Sequence, residues 1–249
     1  GAEVLPDRLR DLDAVLAARQ RGVFKLSGTR LVLGGHSLGA LTALLAAGAG
    51  PEMGLGRRCG QDLDDLPISN LSRLLQCQIE EVSLPAVRPP RQLAAVVGLN
   101  SFGSLLWPRR IPLPGDVAVF LSGGTLDLIT PPLSEQLGLL RSLPANPASR
   151  AVLVEGASHF SPVRVEGQSG GGQGEDVFQL GEELVGVQPL RVQAQLEREI
   201  VRFLLDLELG RVSGAVQGGV EHLQVGDLHV HRLNQSGAER FLDLSLIHI

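Results

Sequence analysis

The chain has few aromatic residues, few cysteines and no long apolar run. The first shortage restricts the composition of the core, and the other two each exclude a class of protein. Aromatic residues make up 3% of the 249 residues, with one tryptophan and no tyrosine, so the core must consist mainly of leucine, valine and alanine. Two cysteines are too few for a disulfide scaffold, and no metal-ligand spacing surrounds them. No stretch reaches the ~18 consecutive apolar residues of a membrane-spanning helix, so we expect no transmembrane segment.

The net charge and the chain length further limit the partners and the fold classes that the protein can have. A formal net charge of -5 leaves no broad basic surface, which argues against nucleic acid as the main partner. A hydrophobic content of 43% over this length is compatible with one globular α/β domain that has a sizeable core.

Ser37 lies in the sequence Gly35-His36-Ser37-Leu38-Gly39, after the apolar run 31–34 and before the small, helix-favouring residues 40–49. This order predicts a strand, a sharp turn and a helix, with the serine hydroxyl exposed on a strained bend. The two glycines are expected to avoid collisions where the backbone reverses. We predict that Ser37 is a nucleophile and that the Leu38 N–H is an oxyanion-hole donor. The alternative is an ordinary glycine-rich turn.

A serine nucleophile needs a histidine to take its proton and a carboxylate to orient that histidine. Asp127 is the only carboxylate in the loop 122–132, which follows the apolar run 117–121. His159 lies in the loop that follows the β-branched run 151–154. The order serine, acid, histidine is the one expected on this scaffold. The alternatives are a turn or cap role for Asp127 and an ordinary surface role for His159.

Four segments together resemble the α/β-hydrolase family: GGHSLGA, SGGTLDLITPP, VEGASHFSPV and NLSRLLQC. More narrowly, they resemble bacterial, particularly cyanobacterial, predicted dienelactone hydrolases related to platelet-activating-factor acetylhydrolases. The resemblance covers roughly residues 5 to 208. It implies hydrolysis of a small carboxylic ester through Ser37, Asp127 and His159, without a metal or organic cofactor.

One departure from the family limits what the resemblance says about substrate. True dienelactone hydrolases use a cysteine nucleophile, whereas this chain has Ser37 at that position. Thioesterase or peptidase activity therefore stays open, as does a non-catalytic binding module on the same scaffold.

The resemblance also sets the expected domain organisation. We expect residues 1–209 to form the carboxyl-terminal part of an α/β-hydrolase domain, with a partial, mostly parallel sheet flanked by helices. In the family, several strands precede the helix expected at 6–18, and one of their loops supplies a second oxyanion-hole donor. The chain is therefore interpreted as part of a longer protein, weakly active or inactive alone. Residues 210–249 are expected to be a poorly ordered extension.

The last six residues, 244–249, resemble the translation of a sequencing adapter, so we treat them as an artefact and exclude them from fold reasoning. The compartment stays open, either cytoplasmic or exported. Cys59 and Cys77 are correspondingly either bridged in an exported protein or buried as thiols in a reducing cytoplasm.

The excursion 50–91 is expected to be a helical cap over the mouth of the site, and its alternative is a surface helical hairpin without substrate contact. If it is a cap, it lines the pocket with leucines. The predicted substrate-binding residues are His36, Leu71, Leu74, Leu75 and Trp107. We predict no metal site, because the histidines of the extension, His222, His229 and His231, lack a defined turn and further ligands.

Overall fold

A computed structural model describes residues 1–24, 28–64, 71–163, 188–211 and 219–238. Its strands are β1 (Leu31–His36), β2 (Leu93–Leu99), β3 (Ala118–Gly124), β4 (Arg150–Val154), β5 (Val220–Val225) and β6 (Leu228–Leu233). Its α-helices are α1 (Leu5–Gln20), α2 (Leu38–Ala46), α3 (Leu55–Asp64), α4 (Leu71–Cys77), α5 (Gln136–Ser142) and α6 (Pro189–Glu208). Short 3₁₀ helices span Ala2–Val4 and Gln78–Glu81.

The six strands form one mixed sheet with the order β1-β2-β3-β4-β6-β5. The first four strands are parallel, β6 is antiparallel to β4, and β5 is antiparallel to β6. Helices flank the sheet, so the chain is an α/β protein. Because β1 to β4 run in the same direction, their carboxyl ends meet at one edge of the sheet and bring together the loops that follow them.

The middle strands are buried along their whole length because both of their faces are covered. Every residue of β3 and β4 is buried, which is typical of the centre of a parallel sheet. Leu121 and Leu153 belong to the core on one face with α2 and α5, whereas Phe120 and Val152 belong to the core on the other face with α6. Alternate strand residues therefore serve opposite faces.

The first and last long helices agree with the sequence patterns. The predicted helix 6–18 is confirmed within α1, which carries Pro6 in its first turn, where a missing N–H costs no hydrogen bond. Helix α6 carries apolar residues at helical spacing and buries Val192, Leu196 and Phe203 against the sheet. No helix in the described ranges is both long enough and apolar enough to cross a membrane.

The extension expected to be poorly ordered contains two strands of the sheet, which corrects that prediction for residues 220–233. Leu228 and Val230 are buried while His229 between them is exposed, the alternation of a strand with one covered face. Gly226 has φ 63° in the two-residue turn between β5 and β6, a conformation that glycine adopts without strain. The predicted artefact at 244–249 lies outside the described residues.

The excursion 50–91 contains α3, α4 and a 3₁₀ helix, in agreement with its expected helical character. Cys59 of α3 and Cys77 of α4 form a disulfide, with Cα atoms 5.6 Å apart and a sequence separation of 18 residues. Of the two states that the sequence left open for these cysteines, the structure has the bridged one.

Candidate active site

The loops after β1, β3 and β4 bring Ser37, Asp127 and His159 into contact at the carboxyl edge of the sheet. His159 Nε2 lies 2.9 Å from Ser37 Oγ. His159 Nδ1 lies 3.0 Å from Asp127 Oδ2 and 3.1 Å from Oδ1. These are hydrogen-bond distances, so the three side chains form one continuous chain from hydroxyl to carboxylate.

Ser37 occupies the strained bend that the sequence predicted. Its φ of 54° and ψ of -120° lie outside the regions favoured by residues with side chains. Its N–H donates to the carbonyl of Leu99 in β2 at 2.8 Å, and its carbonyl accepts from Ala40 N at 2.9 Å. Hydrogen bonds on both sides of the bend hold the serine between β1 and α2.

The two glycines of this turn are not equivalent. A Cβ on Gly35 would come within 2.3 to 2.7 Å of the backbone of Gly39 and Ala40, so only glycine fits there. A Cβ on Gly39 would meet no atom within 4 Å, so the predicted steric role of that glycine is corrected. Leu38 is the first residue of α2, and its N–H therefore has no acceptor within the helix.

Asp127 is a buried carboxylate with several donors around it. It is 1% exposed and accepts hydrogen bonds from Asn100 Nδ2 at 2.6 Å, Ile129 N at 3.0 Å and Thr130 N at 2.8 Å. Burial by itself raises the pKa of Asp127, but hydrogen bonding and charge from His159, followed by hydrogen bonds from Asn100 and Thr130, outweigh burial and lower it. The side chain is therefore ionised at neutral pH.

His36 contacts the loop that carries His159. Its Nε2 lies 2.8 Å from the carbonyl oxygen of His159, and the two ring centroids are 4.8 Å apart. Because a carbonyl only accepts, His36 donates its Nε2–H in this bond. Burial, as the largest influence, lowers the pKa of His36, so the ring is neutral at pH 7. The structure thus gives this predicted substrate-binding residue a contact with the histidine loop.

The other predicted substrate-binding residues separate into two groups. Leu71 and Leu74 on α4 are 47% and 42% exposed. Ser72 N donates to Ile129 O at 3.1 Å, so α4 lies against the loop that carries Asp127. These two leucines are therefore available near the site.

Trp107 and Leu75 differ from these two leucines, because both pack inward. Trp107 is fully buried, and its Nε1–H donates to the carbonyl of Gly50 at 2.9 Å. Leu75 is only partly exposed and packs against the main hydrophobic core. Both side chains contribute to the packing of that core.

Sequence reasoning missed Asn100 and Thr130, which contact the acid, and Glu135, which lies fully buried at the start of α5. Asn100 directly follows β2, so the rule that found Asp127 at the carboxyl end of a strand also points to it. Its φ of 48° is a conformation that asparagine tolerates better than most residues.

Within the described residues, no group of three or more His, Cys, Asp or Glu side chains is placed to hold a metal ion. Comparison with models of known protein families gives no match, and a search of curated proteins gives none either.

Proposed function

We propose that the protein is a serine hydrolase of carboxylic esters with an α/β-hydrolase fold. The observation that carries this proposal is the chain of hydrogen-bond distances from Ser37 Oγ through the His159 ring to the Asp127 carboxylate. The three residues come from loops far apart in sequence, yet they meet with the geometry that activates a hydroxyl.

The parallel part of the sheet supports the fold assignment. The serine follows β1, the acid follows β3 and the histidine follows β4, which is the chain order used by α/β-hydrolases. The strained φ of Ser37 and the obligatory Gly35 agree with a nucleophile turn.

In the proposed reaction, Ser37 Oγ attacks the ester carbonyl carbon while His159 Nε2 takes the hydroxyl proton. Asp127 orients the imidazole through Nδ1–H and stabilises its positive charge. The Leu38 N–H donates to the oxyanion of the tetrahedral intermediate. His159 then gives the proton to the leaving alkoxide, which departs as the alcohol and leaves an acyl group on Ser37. Water, deprotonated by His159, attacks the acyl carbon, and His159 returns the proton to Ser37 Oγ as the bond to the serine breaks and the carboxylic acid leaves.

Labelling with a fluorophosphonate probe tests the proposal, because the probe phosphonylates an activated serine. We expect labelling at Ser37, identified by peptide mass spectrometry, and its loss in Ser37→Ala. Asp127→Asn is expected to reduce kcat on p-nitrophenyl acetate on the order of 10⁴-fold, because the imidazole loses its orienting carboxylate.

Ser134→Ala is the matched control, because Ser134 bonds only the nearby Pro131 carbonyl among the described contacts. It is expected to label like the unaltered chain. A full chain that is not labelled at Ser37, or is labelled equally well after Ser37→Ala, contradicts the proposal.

A further inference from the structure

Glu135 is a fully buried carboxylate that the proposed mechanism does not use. Its oxygens accept hydrogen bonds from Ser72 Oγ at 2.7 Å, Gly103 N at 2.9 Å, and Ser104 N and Oγ at 3.1 and 2.9 Å. Gln76 Nε2 adds a longer contact at 3.3 Å. A buried charge is costly without such partners, so this set of donors is matched to an ionised side chain.

Gln76 continues the network from Glu135. Its side-chain oxygen accepts from Leu105 N at 2.7 Å and from Leu106 N at 3.3 Å. Glu135 and Gln76 together therefore hold the four successive backbone N–H groups of residues 103–106, a segment that we call the 103–106 loop. A loop whose N–H groups all point to two fixed acceptors has little freedom to change its path.

The 103–106 loop lies close in sequence to the residues that hold the site. Leu99 O accepts the Ser37 N–H, and Asn100 Nδ2 donates to Asp127. The segment 99–104 therefore contacts Ser37 and Asp127 at its start and Glu135 at its end.

Helix α4 is held by the same carboxylate. Ser72 and Gln76 are its contacts with Glu135, and Ser72 N also donates to Ile129 O in the loop that carries Asp127. Cys77, next to Gln76, is bridged to Cys59 of α3. The exposed Leu71 and Leu74 lie on this anchored helix.

We propose that Glu135 is a positioning residue that holds α4 and the 103–106 loop as two walls of the substrate site and thereby sets the acyl-chain preference. This inference rests on the proposed ester hydrolysis. The chemistry requires a carboxylate because every group around it is a donor. An amide at this position points its own N–H groups at some of them, so at least one buried donor loses its acceptor.

The test compares Glu135→Gln with Glu199→Gln, a matched control that alters another buried, hydrogen-bonded glutamate, on α6. The full chain is assayed with p-nitrophenyl acetate and p-nitrophenyl octanoate. In E135Q we expect KM for the octanoate to rise about tenfold or more, because a hydrogen bond to a charged group is lost. We expect kcat for the acetate and fluorophosphonate labelling of Ser37 to change less than about threefold, since the triad is untouched.

Amide hydrogen exchange supplies a readout that does not depend on activity. Exchange of the 103–106 N–H groups and of α4 is expected to accelerate about tenfold in E135Q and to stay unchanged in E199Q. Ser104→Ala removes one donor without adding a misplaced one, and it is expected to shift the octanoate KM in the same direction by a smaller factor. It serves as the second variant if E135Q does not fold.

Several outcomes overturn the proposal. If E135Q is active and its acetate-to-octanoate KM ratio equals that of the unaltered chain, Glu135 has no role in specificity. The same follows if E199Q shifts the ratio equally. In both cases the proposed esterase function still stands. Unchanged exchange in the 103–106 loop removes the positioning role. A wild-type chain that neither hydrolyses the esters nor labels at Ser37 contradicts the proposed function itself, and the specificity role with it.

Discussion

At the scale of single residues, the Asp127 carboxylate shows how a buried charge is retained. Burial opposes ionisation, but the protein surrounds the two oxygens with donors from His159, Asn100, Thr130 and the backbone. The bond from Asn100 Nδ2, at 2.6 Å, is shorter than the bonds that Asp127 accepts from the backbone. Asn100 directly follows the neighbouring strand, β2. Asn100 therefore supports both the stability of the fold and the orientation of the acid.

Replacing Asn100 by glycine tests this support, because glycine accepts the φ of 48° and removes only the side chain. We expect the free energy of unfolding at pH 7 to fall by about 1.5–3 kcal/mol from the lost bond to a charged group. We also expect the pKa of Asp127 to rise towards its value in the unfolded chain, so that this group loses less stability as pH falls. Urea denaturation between pH 3 and pH 7 measures both effects.

Gln92→Gly is the control for that measurement, since Gln92 is exposed and also has a positive φ, 65°. It is expected to change stability by less than about 1 kcal/mol, because it alters chain flexibility without breaking a buried contact. Equal losses in the two variants would assign the effect to the backbone and contradict the role given to the Asn100 amide.

At the scale of elements, a buried ion pair joins β6 to α6. Arg232 donates from Nε and Nη2 to the two oxygens of Glu199 at 2.8 and 2.7 Å, and from Nη1 to Glu221 at 3.0 Å. Arg232 and Glu199 are 8% and 3% exposed. Although burial lowers the pKa of Arg232, these carboxylates raise it above its ordinary value. This bidentate contact between Arg232 and Glu199 fixes the position of β6 against α6.

Arg232→Met leaves the Glu199 carboxylate buried with only Gln195 as a side-chain partner among the described contacts. We expect it to destabilise the fold by about 3–5 kcal/mol, whereas the double variant Arg232→Met, Glu199→Leu recovers most of the loss. A double-mutant cycle by urea denaturation measures the coupling. Arg191→Met is the matched control, because its pair with Asp227 is exposed and is expected to contribute under about 1 kcal/mol. A double-mutant cycle without coupling energy contradicts the conclusion that Arg232 and Glu199 fix β6 against α6.

At the scale of the whole molecule, the sequence predicts the part of the fold that follows simple repeating patterns. The strands before Ser37, Asp127 and His159 are short apolar runs ended by glycine-containing loops, so their buried character is readable without coordinates. The common direction of β1 to β4 then places the ends of those strands at one edge. This is why the convergence of the three side chains was predictable.

What the sequence does not predict depends on contacts between distant segments. The hairpin of β5 and β6 has an alternating pattern with no helix between its strands, and only its pairing with β4 shows that it belongs to the sheet. A single tryptophan is compatible with a pocket wall and with a hydrophobic core, so the sequence alone does not show that Trp107 is buried. Glu135 carries no motif, because its five donors come from α4 and from the loop after β2.

The stability of the whole molecule is expected to decrease in acid through two groups that titrate in sequence. The pKa of His36 is lowered in the folded protein, mainly by burial, so below about pH 6.5 the unfolded chain binds a proton that the folded chain resists. The stabilisation from this group is therefore complete above the unfolded value and is lost as pH falls through the folded one. Asp127 has a lowered pKa too, so its contribution is lost only at more acidic pH.

His36→Gln isolates the first of these steps, because glutamine retains an amide donor but does not titrate. We expect the unaltered chain to lose stability from pH 6.5 downward with a slope of at most about 1.4 kcal/mol per pH unit from this group. We expect H36Q to be flatter in that range and to keep the steeper loss at lower pH. His229→Gln, at an exposed position of the β5–β6 hairpin, should keep the full slope. If H36Q and the unaltered chain gave parallel curves in urea denaturation from pH 4 to pH 7, the partly buried, neutral ring of His36 would not be the group that opposes protonation.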